Sequence, residues 1–252
     1  MSAENLKTEF DEILKETIIP FLKGFGFKRK SQNFYRQVND IGQCFNVQRS
    51  QWNSYNDSVV FTFNLGFFSQ EIFRIVSERT EVIVFPKTTD CFIQHRLGYY
   101  SHGRDHWYEL ARNIKKEDVK KQIGMDLANH LKPLFDKYTS LEALKGLVDK
   151  DEKNVGPVFA PYYLIVFYMT TGQTGKGVQT IKESYVKALK PMTVTDTVNY
   201  PDGRSETKTR TSMNQHYING IERLAKFYDV TLDKERAKGE GGKNWFKKLL
   251  DN

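Results

Sequence analysis

Amide and hydroxyl side chains recur at alternate positions in one strand-like stretch of the chain. Asn46, Gln48 and Ser50 are spaced by two, and so are Thr62 and Asn64. Each offers hydrogen-bond donors or acceptors without a charge. Groups of this kind hold a peptide, a nucleotide or a carboxylate without doing chemistry on it. Arg36 and Arg96 frame the set if the strand register brings them to the same side. A solvated outer face is the plainer reading. Such faces carry Lys, Glu and Thr more often, and amides are poor strand formers.

Other residue sets invite chemistry less clearly. Cys91, His95, His102 and His106 are zinc-ligand types. No second cysteine pair accompanies them, so no metal is expected. Arg96 and Asp105 flank one loop and can pair to fix it, with Trp107 packed beneath. A ligand pocket at that loop is the alternative. Gly172-Gln173-Thr174-Gly175-Lys176-Gly177 suggests a phosphate loop but lacks the first glycine and the closing Ser or Thr. An interhelical turn is the better reading. Lys28-Arg29-Lys30, near Phe27, Phe34 and Tyr35, and the later Lys243, Lys247 and Lys248 form basic clusters. The first can meet phosphates and stack on bases, or simply discourage edge aggregation. No Ser-His-Asp order or H-E-x-x-H is legible, although catalytic groups assemble in space as well as in sequence.

Three strand patterns position these residues. They run over Asn33–Val38, 43–50 and 58–67, joined by turn residues at 39–42 and 54–57. Phe45 and Val47 point one way, and Cys44, Asn46, Gln48 and Ser50 the other. Val59, Phe61, Phe63 and Leu65 share the apolar face. This predicts an antiparallel meander with helices on one face. An amphipathic helix over 4–23 is the first cover, with Leu6, Phe10, Ile13, Leu14, Thr17 and Phe21 inward. Pro20 kinks it and Gly24 caps it.

Further along, the pattern predicts a helix over 70–79, strands over 81–85 and 90–97, and a loop over 98–104. Asp105 then caps a helix bearing Trp107, Leu110, Ala111 and Ile114. A long helix follows over about 117–137, with Val119, Ile123, Leu127, Leu131 and Leu134 inward. Ser140 caps a short helix carrying Leu141, Leu144, Leu147 and Val148. The polar stretch 149–156 marks a boundary between an α+β domain over 1–150 and a helical extension over 151–252. That extension reads as helices at about 158–171, 177–190 and 213–228, with a β-hairpin at about 193–211. Residues 237–242 form a joint before a short amphipathic end at 244–250.

The chain has 252 residues, 39% hydrophobic and 27% charged, with 38 Lys and Arg against 31 Asp and Glu. This is a globular balance, and the excess of seven positive charges permits an anionic partner without requiring one. Two cysteines and a polar start without an apolar leader core predict a reduced, cytoplasmic protein. The most apolar run, 158–169, is too short to span a membrane and contains Pro161.

From residue 17 to about 148 the chain resembles the bacterial family named domain of unknown function 4304. The resemblance rests on Pro20-Phe21-Leu22-Lys23, Gly26-Phe27-Lys28-Arg29-Lys30, Asn33-Phe34-Tyr35-Arg36, Asn46-Val47-Gln48-Arg49-Ser50 and Phe63-Asn64-Leu65-Gly66. A later block from Cys91 to Trp107 adds Arg96, Gly98, Asp105 and Trp107. The resemblance implies one α+β bacterial domain and no activity.

The leading expectation is a non-enzymatic binding module that uses the polar sheet face, with no cofactor and no assigned catalytic residue. Its site residues are Arg36, Asn46, Gln48, Ser50, Thr62, Asn64, Arg96, Asp105 and Trp107. Its partner is another protein or a small polar ligand, and an immunity- or antitoxin-type role is one refinement. Nucleic-acid binding and a hydrolase or metalloenzyme site at the Arg96–His106 loop are the alternatives.

Overall fold

The computed structural model describes residues 6–54, 57–148 and 161–233. The chain divides into two compact units, Met1–Tyr163 and Leu164–Asn252. The boundary expected at 149–156, the joint at 237–242, the end segment at 244–250 and its lysines all lie outside the described residues.

The first unit opens with α1 (Leu6–Ile13), a π-helical turn (Leu14–Ile18) and α2 (Ile19–Gly24). The backbone N–H of Ile19 reaches back to the Leu14 carbonyl, five residues earlier. The turn lies just before Pro20, whose ring would collide with the carbonyl four residues back in a regular helix. The extra residue moves the inward stripe by one. Ile18 and Leu22 are buried, whereas the expected Thr17 and Phe21 are only half-buried. The left-handed cap is Gly26, at φ 86°, rather than Gly24. Gly26 N–H donates to the Lys23 carbonyl and Phe27 N–H to the Leu22 carbonyl, a Schellman closure.

Four strands then form a meander: β1 (Lys28–Lys30), β2 (Asn33–Val38), β3 (Ile41–Arg49) and β4 (Ser58–Phe68). The order is β1-β2-β3-β4-β5, all antiparallel, with β5 (Ile93–Arg96) against one half of β4 and β6 (Tyr108–Ala111) against the other. Between β4 and β5 lies α3 (Gln70–Ser77), capped by Ser69. The fold is α+β with an antiparallel sheet.

Register settles the faces. Phe45 lies opposite Leu65, Val47 opposite Phe63, Asn46 opposite Asn64 and Gln48 opposite Thr62. The apolar side packs ring on ring: Phe10 meets Phe61 at 5.0 Å, and Phe45 meets Phe63 at 5.2 Å. Phe135 meets Phe67 and Phe27, both at 5.6 Å. Cover is not confined to this side. Beyond Asn46 the other face carries Cys44, Gly66 and Phe68, and there α3 lays Phe73 against Cys44, Phe68 and Cys91.

Three local expectations fail. Residues 81–85 pair with no strand. The Gln70 side chain takes the ladder's place, accepting from Ile83 N–H (2.9 Å) and donating to the Glu81 carbonyl (3.1 Å). The expected loop 98–104 is mostly helical: α4 spans Leu97–His102 and closes on left-handed Gly103. The expected helix after Asp105 is instead β6, where Tyr108 and Leu110 are buried and Glu109 is exposed. Four residues fit either period, and pairing with β4 decides it.

The next helix is α5 (Lys116–Asp126), a second π-helical turn (Leu127–Leu131) and α6 (Lys132–Lys137). Again a proline, Pro133, follows the turn, and Phe135 rather than Leu134 is buried. Then α7 (Leu141–Val148) buries the four expected residues, with Ser140 Oγ accepting from Ala143 N–H.

The second unit comprises most of α8 (Pro161–Thr170), α9 (Thr174–Ala188), the hairpin of β7 (Met192–Asn199) and β8 (Ser205–Ser212), and α10 (Gln215–Phe227). Gly172, at φ 72°, makes the interhelical turn expected there. On the hairpin, Thr193, Thr195 and Thr197 face Thr211, Thr209 and Thr207.

Candidate functional site: the polar window of the sheet

The open part of the sheet's second face is a window between two covers. At one end α3 and Cys91 bury Cys44 and Gly66. At the other, Thr62 is fully buried, and its Oγ1 donates to the His106 carbonyl (2.8 Å). Between them lie Asn46, Gln48, Asn64 and Arg96, all reaching solvent. Asn64 is paired with Asn46 on one side and Arg96 on the other, so β3, β4 and β5 contribute one residue each to a row.

The row is internally bonded. Asn46 Nδ2 donates to Asn33 Oδ1 (3.0 Å). Asn64 Nδ2 donates to both Asn46 Oδ1 (3.2 Å) and Gln48 Oε1 (2.7 Å). Gln48 Nε2 and Asn64 Oδ1 are left with no side-chain or backbone partner among the described residues. A donor and an acceptor thus stand together on an exposed surface, as in a peptide group.

Two depressions meet at Gln48. One, of about 470 Å³, is lined by Gln48, Asn64, Thr89, Gln94, Arg96 and Tyr99 among others. The other, of about 360 Å³, is lined by Gln32, Asn46, Gln48 and Ser50. Ser50 lies just past the end of β3, and its Oγ accepts from Trp52 N–H.

Arg96, Asp105 and Trp107 come together at the rim. Arg96 Nη1 pairs with Asp105 Oδ2, and Trp107 Nε1 donates to the same oxygen (3.3 Å). The guanidinium lies 4.8 Å from the Trp107 ring. Asp105 offsets the charge of Arg96 at this rim.

Arg36 does not join them. It pairs with Gln43 in register and so shares the helix-covered face. Its Nε donates to Gln43 Oε1 (2.7 Å), its Nη1 to the Phe25 carbonyl (2.9 Å), and its head stacks on the Phe25 ring at 3.7 Å. Burial lowers its hold on the proton, and Asp136 opposes that. Phe34 is buried on the same face, as the two-residue spacing between Phe34 and Arg36 requires.

The Cys–His set is dispersed. Cys91 packs against Cys44, and its thiol is raised well above its usual range, first by burial and then by Cys44. His95 lies against Tyr99 and Tyr100. His102 and His106 stack on each other elsewhere. Among the described residues no three His, Cys, Asp or Glu side chains gather to hold a metal ion. Of the aromatics near Lys28–Lys30, Phe27 and Phe34 are in the core.

One set escaped the sequence reading. Asp126 is buried and accepts from Tyr108 Oη (2.6 Å) and His102 Nε2 (3.0 Å). An acid three residues beyond inward-facing Ile123 was the available signal. Burial, then the bond to Asp126, raises the Tyr108 hydroxyl above its ordinary range.

Residues 18–137 match the model of one family, described as domain of unknown function (DUF4304). The matched residues lie wholly within the first unit and include every residue of the window. No curated protein and no solved structure matches the chain.

Proposed function

We propose that the DUF4304 region of this chain is a recognition module. In this reading the amide window binds an extended, uncharged segment of another protein. The observation that carries it is the bonded row Asn46–Asn64–Gln48, which is held in place from within and leaves one donor and one acceptor facing outward. Preordered amides lose little side-chain freedom on binding, so each new hydrogen bond keeps more of its worth. A phosphate-bearing ligand suits the window less well. Arg36 faces the other way and Arg96 is already paired.

No described helix is long and apolar enough to cross a membrane. Two buried free thiols suit a reducing compartment, which favours the cytoplasm as the place of action.

The test is affinity capture from a native lysate with wild-type protein and the double variant Gln48→Ala, Asn64→Ala. The wild type retains a stoichiometric partner protein that the variant loses at an unchanged melting temperature. Equal capture by both overturns the proposal.

A further inference from the structure

His102 closes α4, His106 sits in the loop before β6, Tyr108 opens β6, and Gln122 and Asp126 lie on α5. The two imidazoles stack with centroids 3.8 Å apart and planes at 27°. The His106 ring stands edge-on to Tyr108 at 4.7 Å. Asp126 only accepts, so His102 Nε2 carries a proton toward it. The Gln122 amide nitrogen only donates, so His106 Nε2, 3.3 Å away, accepts from it and carries none.

A proton taken from solvent onto His106 Nε2 would face the Gln122 donor and lie against the His102 ring. Burial, and next His102, lowers the proton affinity of His106. Arg104 acts in the same sense, while Asp126 and Asp105 oppose.

The His106 main chain is tied to the window. Thr62 on β4 bonds its carbonyl. Gly98 on α4 lies so close that an added Cβ would be 2.5 Å from His106 N and 2.8 Å from the Arg104 carbonyl. The next residues after Arg104 include Asp105 and Trp107, which hold Arg96 beside Asn64.

The geometry points to a proton-binding site formed by His102, His106 and Asp126, where a proton taken up at His106 Nε2 releases the 103–107 loop and loosens the Arg96 rim of the window. The release stands on the cluster's own geometry. Its effect on partner binding rests on the recognition function proposed above.

The experiment is a titration followed by NMR on the full chain, reading the imidazole signals and the amide exchange of residues 103–107. His106 takes up its proton below the ordinary imidazole range, and exchange across 103–107 quickens at least tenfold over the same pH interval. In His106→Asn, which keeps a neutral polar group, the loop's exchange loses that step. His102→Asn serves as a second variant and must move the His106 titration upward. Independent titration of the two rings, or no quickening at 103–107, overturns the site. Quickening with no partner lost in acid keeps the proton site and removes only its link to recognition.

Discussion

Gln43 shows how much one side chain can hold. It is fully buried, accepts from Arg36 Nε, and donates to the carbonyls of Phe135 (2.7 Å) and Tyr138 (2.8 Å). Gln43→Leu strands a guanidinium and two carbonyls, and should cost about 2–4 kcal/mol in urea unfolding at an unchanged slope. Asn64→Ala, on the open window, should cost less than about 1 kcal/mol by the same measurement. Sequence alternation separated Phe45 and Phe63 from Asn46 and Asn64, because a period of two leaves a strand no choice. It was silent on Gln43, whose partners lie 92 and 95 residues away. The place of Asp126 beyond Ile123 hinted at burial, but its partners were hidden, since they converge from α4 and β6.

At the scale of elements, the two π-helical turns explain the misplaced positions. Each inserts one residue ahead of a proline, so Ile18 and Phe135 take the places that regular periodicity gave to Thr17 and Leu134. Short elements were harder still. α4 has six residues and β6 four, too few for periodicity to decide between helix, strand and loop. What fixes them is contact, above all the close approach of Gly98 to His106. Gly98→Ala places a methyl against backbone that cannot rotate away. We expect a loss of about 1–3 kcal/mol, read by thermal melting, with faster amide exchange at 103–107.

Over the whole molecule, stability should rise and then fall with pH. His106 binds its proton less tightly in the folded state, so the unfolded chain takes up more protons in acid. Stability is therefore lost as pH drops below about 6.5, the ordinary imidazole value, and down through the lowered one. Cys91 holds its proton more tightly when folded, so stability is lost as pH climbs above about 8.5, the ordinary thiol value. Chemical unfolding at a series of pH values reads both limbs, and His106→Asn flattens the acid one. Both thiols are buried, so iodoacetamide should label Cys44 and Cys91 only after unfolding.

The most direct test of the amide window is a photo-crosslinking amino acid placed at position 48, with position 121 on the helical side as control. Illumination in the native cell should give one dominant protein adduct from position 48 and none from position 121. No adduct at 48, or the same adducts from both positions, would contradict a recognition surface built on Asn46, Gln48 and Asn64.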